Sequence, residues 1–204
     1  DGLQGSLEGQ DLGLRSRALS GDIGQQGVFR ARLGYAEITR HTMGDAKTPF
    51  LGVGGDDLTL PAGYPALSTA TMPLAATLQP VDVQNRRRRL DAGLSWTFSP
   101  DVSAQLSARH DVRDGLQRLS GSFFANASQL WAPLDQTIDS VAASADFRRG
   151  ALTASVGYQG SWFRNDASSL TWTNPFQSAS VGTQRGQMAL APDNAFNQVM
   201  AAAA

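Results

Sequence analysis

The sequence predicts an all-β protein: an antiparallel up-and-down transmembrane β-barrel, present as a segment of about six to seven strands with long external loops. Three observations predict it. Apolar and polar residues alternate with period two over long stretches, every second connection is short, and glycine, the residue of tight turns, is abundant at 21 of 204 residues. The hydrophobic share of 41% permits a core, and 17% charged residues leave little material for exposed helices. A formal charge of −1 removes any global pull toward nucleic acid, so no nucleic-acid partner is expected.

Each element follows from its pattern, and the whole of 1–204 is read as one partial barrel. Leu12 and Leu14 open an alternation that suggests a strand over about 10–19, after which Gly21 to Gly27 is turn-like. Phe29, Ala31, Leu33 and Tyr35 alternate with Arg30, Arg32 and Gly34, giving a strand over about 28–39. From 87 to 98 the even positions Leu90, Ala92, Leu94, Trp96 and Phe98 are apolar; Ser99, Pro100 and Asp101 supply a turn, and a strand over about 102–124 follows. Placing Phe98 opposite Val102 sets Asp91 against Arg109 and Arg89 against Asp111, two opposite-charge pairs that favour this register. Strands over about 135–148 and 151–163 form a second hairpin, with Arg149–Gly150 as the turn and Phe147 opposite Leu152. A last strand runs over about 195–204, and long loops are expected at about 40–85, 125–134 and 164–194.

Alternating short and long connections are the asymmetry of barrels that cross a membrane, whose turns are tight on one side and long on the other. In hydrocarbon every backbone group must be satisfied internally, so a closed sheet is the β solution and lipid takes the apolar row. Trp96, Phe98 and Phe147 beside short turns fit an aromatic girdle. The competing architecture is a soluble β-sandwich in which the apolar row is core, with exposed aromatics such as Trp131 and Trp172 binding carbohydrate. A piece of this length leaves two open edges, and the chain, opening at Asp1 and ending in Met200–Ala204, is expected to belong to a longer barrel.

Residues with chemical potential are few. Cysteine is absent, which removes thiolate metal sites and covalent haem attachment from this chain. Only His41 and His110 offer imidazole, and neither comes with a nucleophile or a ligand pattern; no catalytic, cofactor or metal site is expected, and no enzyme. Asp45, Asp56 and Asp57 lack calcium-loop spacing, Gly52-x-Gly54-Gly55 lacks a phosphate-loop lysine, and Asn126-Ala127-Ser128 matches only a short glycosylation pattern. Arg86 to Arg89 would split between the two faces of a strand, giving internal salt bridges on one and, on the other, a solvated rim or a contact for lipopolysaccharide phosphates.

The loops carry a more specific signal. Thr48-Pro49-Phe50-Leu51-Gly52, Leu58-Thr59-Leu60-Pro61, Ser169-Leu170-Thr171-Trp172-x-Asn174-Pro175-Phe176 and Met188-Ala189-Leu190-Ala191-Pro192-Asp193-Asn194 resemble the MtrB/PioB family of decahaem-associated bacterial outer-membrane proteins. The likeness covers the chain from about Val28 onward; a cysteine motif near the amino terminus of some members has no counterpart. The resemblance implies a sheath in the outer membrane, in contact with its lipid, with a periplasmic decahaem c-type cytochrome in the lumen and a second multihaem cytochrome at the cell surface. The haem c then belongs to the partner, and this chain needs no cofactor of its own. In that role Ser103, Gln105, Ser107, Arg109, Ser155, Gly157 and Gln159 are expected to face the lumen and the cytochrome. A diffusion porin, with the same polar row lining water, is the rival barrel reading.

Overall fold

Where the period-two pattern persists the chain is strand, and the strands follow one another as neighbours. The computed structural model describes residues 2–66, 68–176 and 185–204; residues 177–184 of the expected loop 164–194 lie outside the described residues. In chain order the strands are β1 (Leu3–Gln10), β2 (Arg17–Gln25), β3 (Phe29–Met43), β4 (Lys47–Thr48), β5 (Asp57–Leu58), β6 (Gln79–Pro80), β7 (Val83–Ser99), β8 (Val102–Phe123), β9 (Asn126–Arg149), β10 (Leu152–Asn165), β11 (Ser169–Thr173), β12 (Arg185–Ala189) and β13 (Asn194–Ala203). Among the described residues, eight of them form one antiparallel sheet in the order β1-β2-β3-β7-β8-β9-β10-β13, a meander with β1 and β13 at its open edges. Two small sheets, β12-β11-β5 and β4-β6, occupy the long connections at one end.

The first expected strand, 10–19, is corrected. Residues 11–16 join β1 to β2 as a turn, with Asp11 at a φ of 53° and the Leu14 N–H donating to Asp11 O at 2.8 Å. Leu12 and Leu14 lie exposed in that turn. β1 was hard to read because Gly5 and Gly9 alternate with Leu3 and Leu7, so half of its apolar row carries no side chain. The stretch around Gly21 to Gly27 is mostly strand, its turn confined to residues 26–28.

The β7–β8 register is the one the charges predict. Trp96 faces Ala104, Leu94 faces Leu106, Asp91 faces Arg109 and Arg89 faces Asp111. Phe98 does not oppose Val102: a bulge between Thr97 and Ser99 puts Ser99 there, and the Asp101 N–H donates to Ser99 Oγ at 3.2 Å across the turn. In the β9–β10 hairpin the expected pairing shifts by two residues, so that Leu152 faces Arg149 and Ala154 faces Phe147. Gly150, at a φ of 61°, takes the first loop position, where a type II′ turn needs glycine. Glycine in the second position would have forced Arg149 toward positive φ. A shift of two leaves every side chain on its expected face.

The expected loop 125–134 is also corrected. β8 and β9 stay paired as far as Phe123 and Asn126, with only Phe124 and Ala125 between them. This stretch shows no alternation because both of its faces are covered: Leu130, Trp131 and Ala132 are all buried. The protruding end of the hairpin meets the two long connections, which are not structureless. β5 from the first runs parallel to β11 from the second, and Phe50, Leu58, Leu130, Ala132, Leu170 and Trp172 pack into one core with Ala46, Val83 and Trp131 in a second. The buried apolar core therefore lies at one end of the sheet, in a cap.

Nothing among the described residues covers the apolar row of the sheet itself. Ile23, Leu33, Leu94, Leu106 and Val156 are exposed, while Trp131 and Trp172, the aromatics a carbohydrate-binding sandwich would present, are 1% and 4% exposed. Those two facts remove the sandwich reading.

Candidate functional site

Strand alternation divides the sheet into two chemically distinct faces, and the register shows which side chains share each. One face carries rows of polar and small residues. Ser6, Asp22, Arg32, Gly93, Ser107, Ala142 and Gln159 are successive cross-strand partners from β1 to β10. Six strand spacings of nearly 5 Å make this an arc of roughly 29 Å. Its two ends nevertheless line the same hollow of about 620 Å³, so this face is concave.

The seven sequence-predicted residues all lie on the concave face. Ser103 and Ser155 flank Asp146, Gln105 and Gly157 flank Ser144, and Ser107 and Gln159 flank Ala142. Arg109 stands one row higher opposite Ser140 and binds Asp91 at 2.6 Å across the β7–β8 pair. The residues β1, β2, β3 and β7 add were missed: Ser6, Glu8, Asp22, Arg30, Arg32 and Asp91 line the same hollow. The signal was present in the Arg30-x-Arg32-x-Gly34 alternation, but without the position of β1 it had no neighbours to complete it. β13 contributes Phe196 and Met200, which share rows with Ser161 and Gly157.

Asp22, Asp91 and Asp111 on the concave face are each paired within it. Arg30 grips Asp22 at 2.7 Å, and Ser6 Oγ donates to the same carboxylate. Arg87 Nε donates to both oxygens of Asp111 at 2.9 Å. Arg89 reaches Asp91 at 2.9 Å rather than its directly opposite partner Asp111, which Arg87 occupies. The Arg86 to Arg89 run divides as its spacing requires, Arg87 and Arg89 on this face, Arg86 and Arg88 on the other.

The convex face has a different profile along the strands. Near the short turns Phe29, Trp96 and Phe98 stack in series, with ring centroids 5.6 and 6.0 Å apart. Aliphatic residues follow. At the level of Arg88 the face becomes ionic: Arg17 and Tyr35 Oη contact Glu37 at 2.8 and 3.0 Å, Arg86 and Arg88 share Asp114 at 3.1 Å, and Asp139 takes His110 at 2.6 Å and Arg164 at 2.8 Å. These pairs form one girdle across β2 to β10.

The remaining candidates do not assemble. His41 lies 3.6 Å from Asp82, away from the His110–Asp139 pair, and Asp57 is taken by Arg185. Among the described residues no three histidine or carboxylate side chains gather as a metal-binding group. The Gly52 to Gly55 segment is a turn, closed by the Gly55 N–H donating to Gly52 O at 3.0 Å. No helix among the described residues is long and apolar enough to cross a membrane.

Compared with known proteins, the whole chain, residues 1–204, matches the family model of outer-membrane beta-barrel porins designated MtrB/PioB. It is also 30% identical over 195 residues to "Outer membrane protein MtrB" of Shewanella baltica (strain OS185), an alignment that covers 95% of this chain and 28% of that relative.

Proposed function

Because this chain belongs to the MtrB/PioB family of outer-membrane β-barrel proteins, we propose that it forms part of the wall of a barrel sheath that houses a multihaem c-type cytochrome and insulates it from lipid. The chain spans 28% of the length of the relative it matches, so the complete barrel needs more strands than these. Eight open-edged strands would leave two unpaired backbone edges in hydrocarbon.

One observation carries the reading: the sheet has an uncovered apolar face of membrane height and a concave face of small and polar side chains. From Phe98 to Arg88 the strand rises roughly 33 Å, and a tilt of about 40° reduces this to some 25 Å, the height of the apolar band on outer-membrane barrels. The stacked aromatics then sit at the periplasmic interface and the ionic girdle at the outer one. On the inside, Gly93, Ser107, Ala142 and Gly157 let a bulky guest approach the backbone closely. With no cysteine to attach haem, the electron carriers belong to the guest, and this chain fixes their position and excludes lipid. The cap built from the long connections stands on the external side, where a cell-surface multihaem cytochrome would dock.

The test is a cysteine scan of the full-length barrel. Cysteines at Ser107 and Gln159 should lose maleimide labelling when the cytochrome is present, whereas cysteines at Leu94 and Leu106 should stay shielded by lipid throughout. Labelling at Ser107 and Gln159 that ignores the cytochrome would refute the sheath. The family's description as porins favours a second reading, a water-filled diffusion channel. That reading predicts steady conductance which the cytochrome does not block.

A further inference from the structure

We propose that the upper concave wall of β7 and β8 is an electropositive shelf that docks a carboxylate-rich face of the guest protein. This rests on the sheath reading and adds to it the chemistry of the contact. Three cross-strand levels there hold Arg87, Arg89 and Asp91 on β7 and Arg113, Asp111 and Arg109 on β8, four guanidinium groups against two carboxylates. Lower in the hollow Arg30 and Arg32 face Asp22, and Glu8 of β1 stands in the row of Asp91 and Arg109 but three strands away from β7. The densest surplus is therefore on β7 and β8.

The depth of each group decides what a guest would meet. Asp111 is the buried member, its side chain 3% exposed, whereas the side chains of Arg87, Arg89, Arg109 and Arg113 are 41%, 39%, 54% and 38% exposed. The acid lies beneath and the guanidinium groups lie over it. Each acid has an ion-pair partner on β7 as well as on β8. Arg87 donates to Asp111 through Nε, and Asp91 accepts from Arg109 at 2.6 Å, with Arg89 at 2.9 Å as a second cation that makes no hydrogen bond through Nε. Arg113 is only loosely engaged, 3.9 Å from Asp111, and its Nε is buried without a hydrogen-bond partner. Like charges crowded on neighbouring strands repel one another, and a concave wall of low dielectric concentrates their field. A carboxylate-bearing guest relieves that repulsion and gains orientation from it, since complementary charge sets register between partners.

Removing Arg109 and Arg113 leaves each acid one cation, Arg89 at 2.9 Å from Asp91 and Arg87 on Asp111, although Asp91 loses its hydrogen bond from Arg109. The experiment uses the full-length barrel in detergent, its periplasmic cytochrome as probe, and heat-modifiable gel migration as the check of folding. Binding is titrated across a range of NaCl. The R109Q/R113Q barrel should bind about tenfold more weakly at low salt with a flatter salt dependence, the behaviour of steering charges, and R113Q alone should fall between it and the wild type. R88Q, which removes the same charge from the convex face, should bind as wild type. Wild-type affinity and salt dependence in folded R109Q/R113Q, or an equal loss in R88Q, would overturn the shelf. Loss of anion selectivity in R109Q/R113Q without change in cytochrome binding would overturn it in favour of small permeant anions. A wild-type barrel that binds no cytochrome at any salt would instead overturn the sheath itself.

Discussion

Trp172 lies where two glycines from different elements leave room for it. A Cβ on Gly121 of β8 or on Gly186 of β12 would overlap the indole, and Phe123 meets the same ring edge-on with centroids 6.0 Å apart. Such a contact cannot be read from sequence, because nothing local to Gly121 announces a partner some fifty positions away. What was readable at this scale was parity: Arg87 and Arg89 had to part from Arg86 and Arg88, and Asp91 had to meet Arg109. The specific ion pairs were less readable, since Arg89 could reach along its own strand to Asp91 as easily as across to Asp111. Substituting Gly121→Ala should force Trp172 out of its slot and destabilise the cap by about 1–3 kcal/mol, the usual cost of overpacking. Thermal melts followed by tryptophan emission should show an earlier red shift, and an unchanged midpoint would mean that the indole slot has slack.

At the level of elements, legibility tracked how many faces of a strand are covered. β7, the lower half of β8 and β10 have one apolar and one polar row, and period two revealed them. The β8–β9 tip was mistaken in part for a loop because packing on both faces replaces alternation with the buried run Leu130, Trp131 and Ala132. β5, β11 and β12 are too short for periodicity, and the pairing of β5 with β11 joins two connections more than a hundred residues apart. The motifs that carry the family resemblance nevertheless include Phe50, Leu58, Leu170 and Trp172, which are neighbours in one core. The architecture predicts that cap and sheet fail separately. Replacing residues 119–130 by an Asn-Gly turn between Arg118 and Trp131, which already face each other, removes Leu130 from that core. The long connections 44–82 and 166–193 should then become sensitive to added protease while heat-modifiable migration persists. Loss of both together would show that cap and sheet are one cooperative unit.

For the whole molecule the decisive question is which face meets lipid, and energetics separates the two assignments clearly. An ordinary globular sheet puts its apolar row inside and its polar row outside, whereas here the polar row is concave and the large aliphatic side chains stand uncovered on the other side. In water that arrangement would expose a contiguous apolar surface, which soluble proteins keep small; in a bilayer it places the backbone hydrogen bonds and the greasy band where hydrocarbon requires them. Leu106 and Ser107 test this with adjacent residues. Leu106 lies opposite Leu94, roughly midway between the stacked aromatics and the ionic girdle, and Ser107 lies opposite Gly93 on the concave face. An arginine at the bilayer midplane of an outer-membrane barrel costs about 2–4 kcal/mol when it faces lipid, and little when it faces a wet lumen. Leu106→Arg should therefore lower the unfolding free energy of the full-length barrel refolded into lipid vesicles, measured by denaturant titration, by that amount, while Ser107→Arg should leave it nearly unchanged. The opposite order would put the aliphatic row on the inside and reverse the faces of the wall; equal losses would mean that neither face is wet.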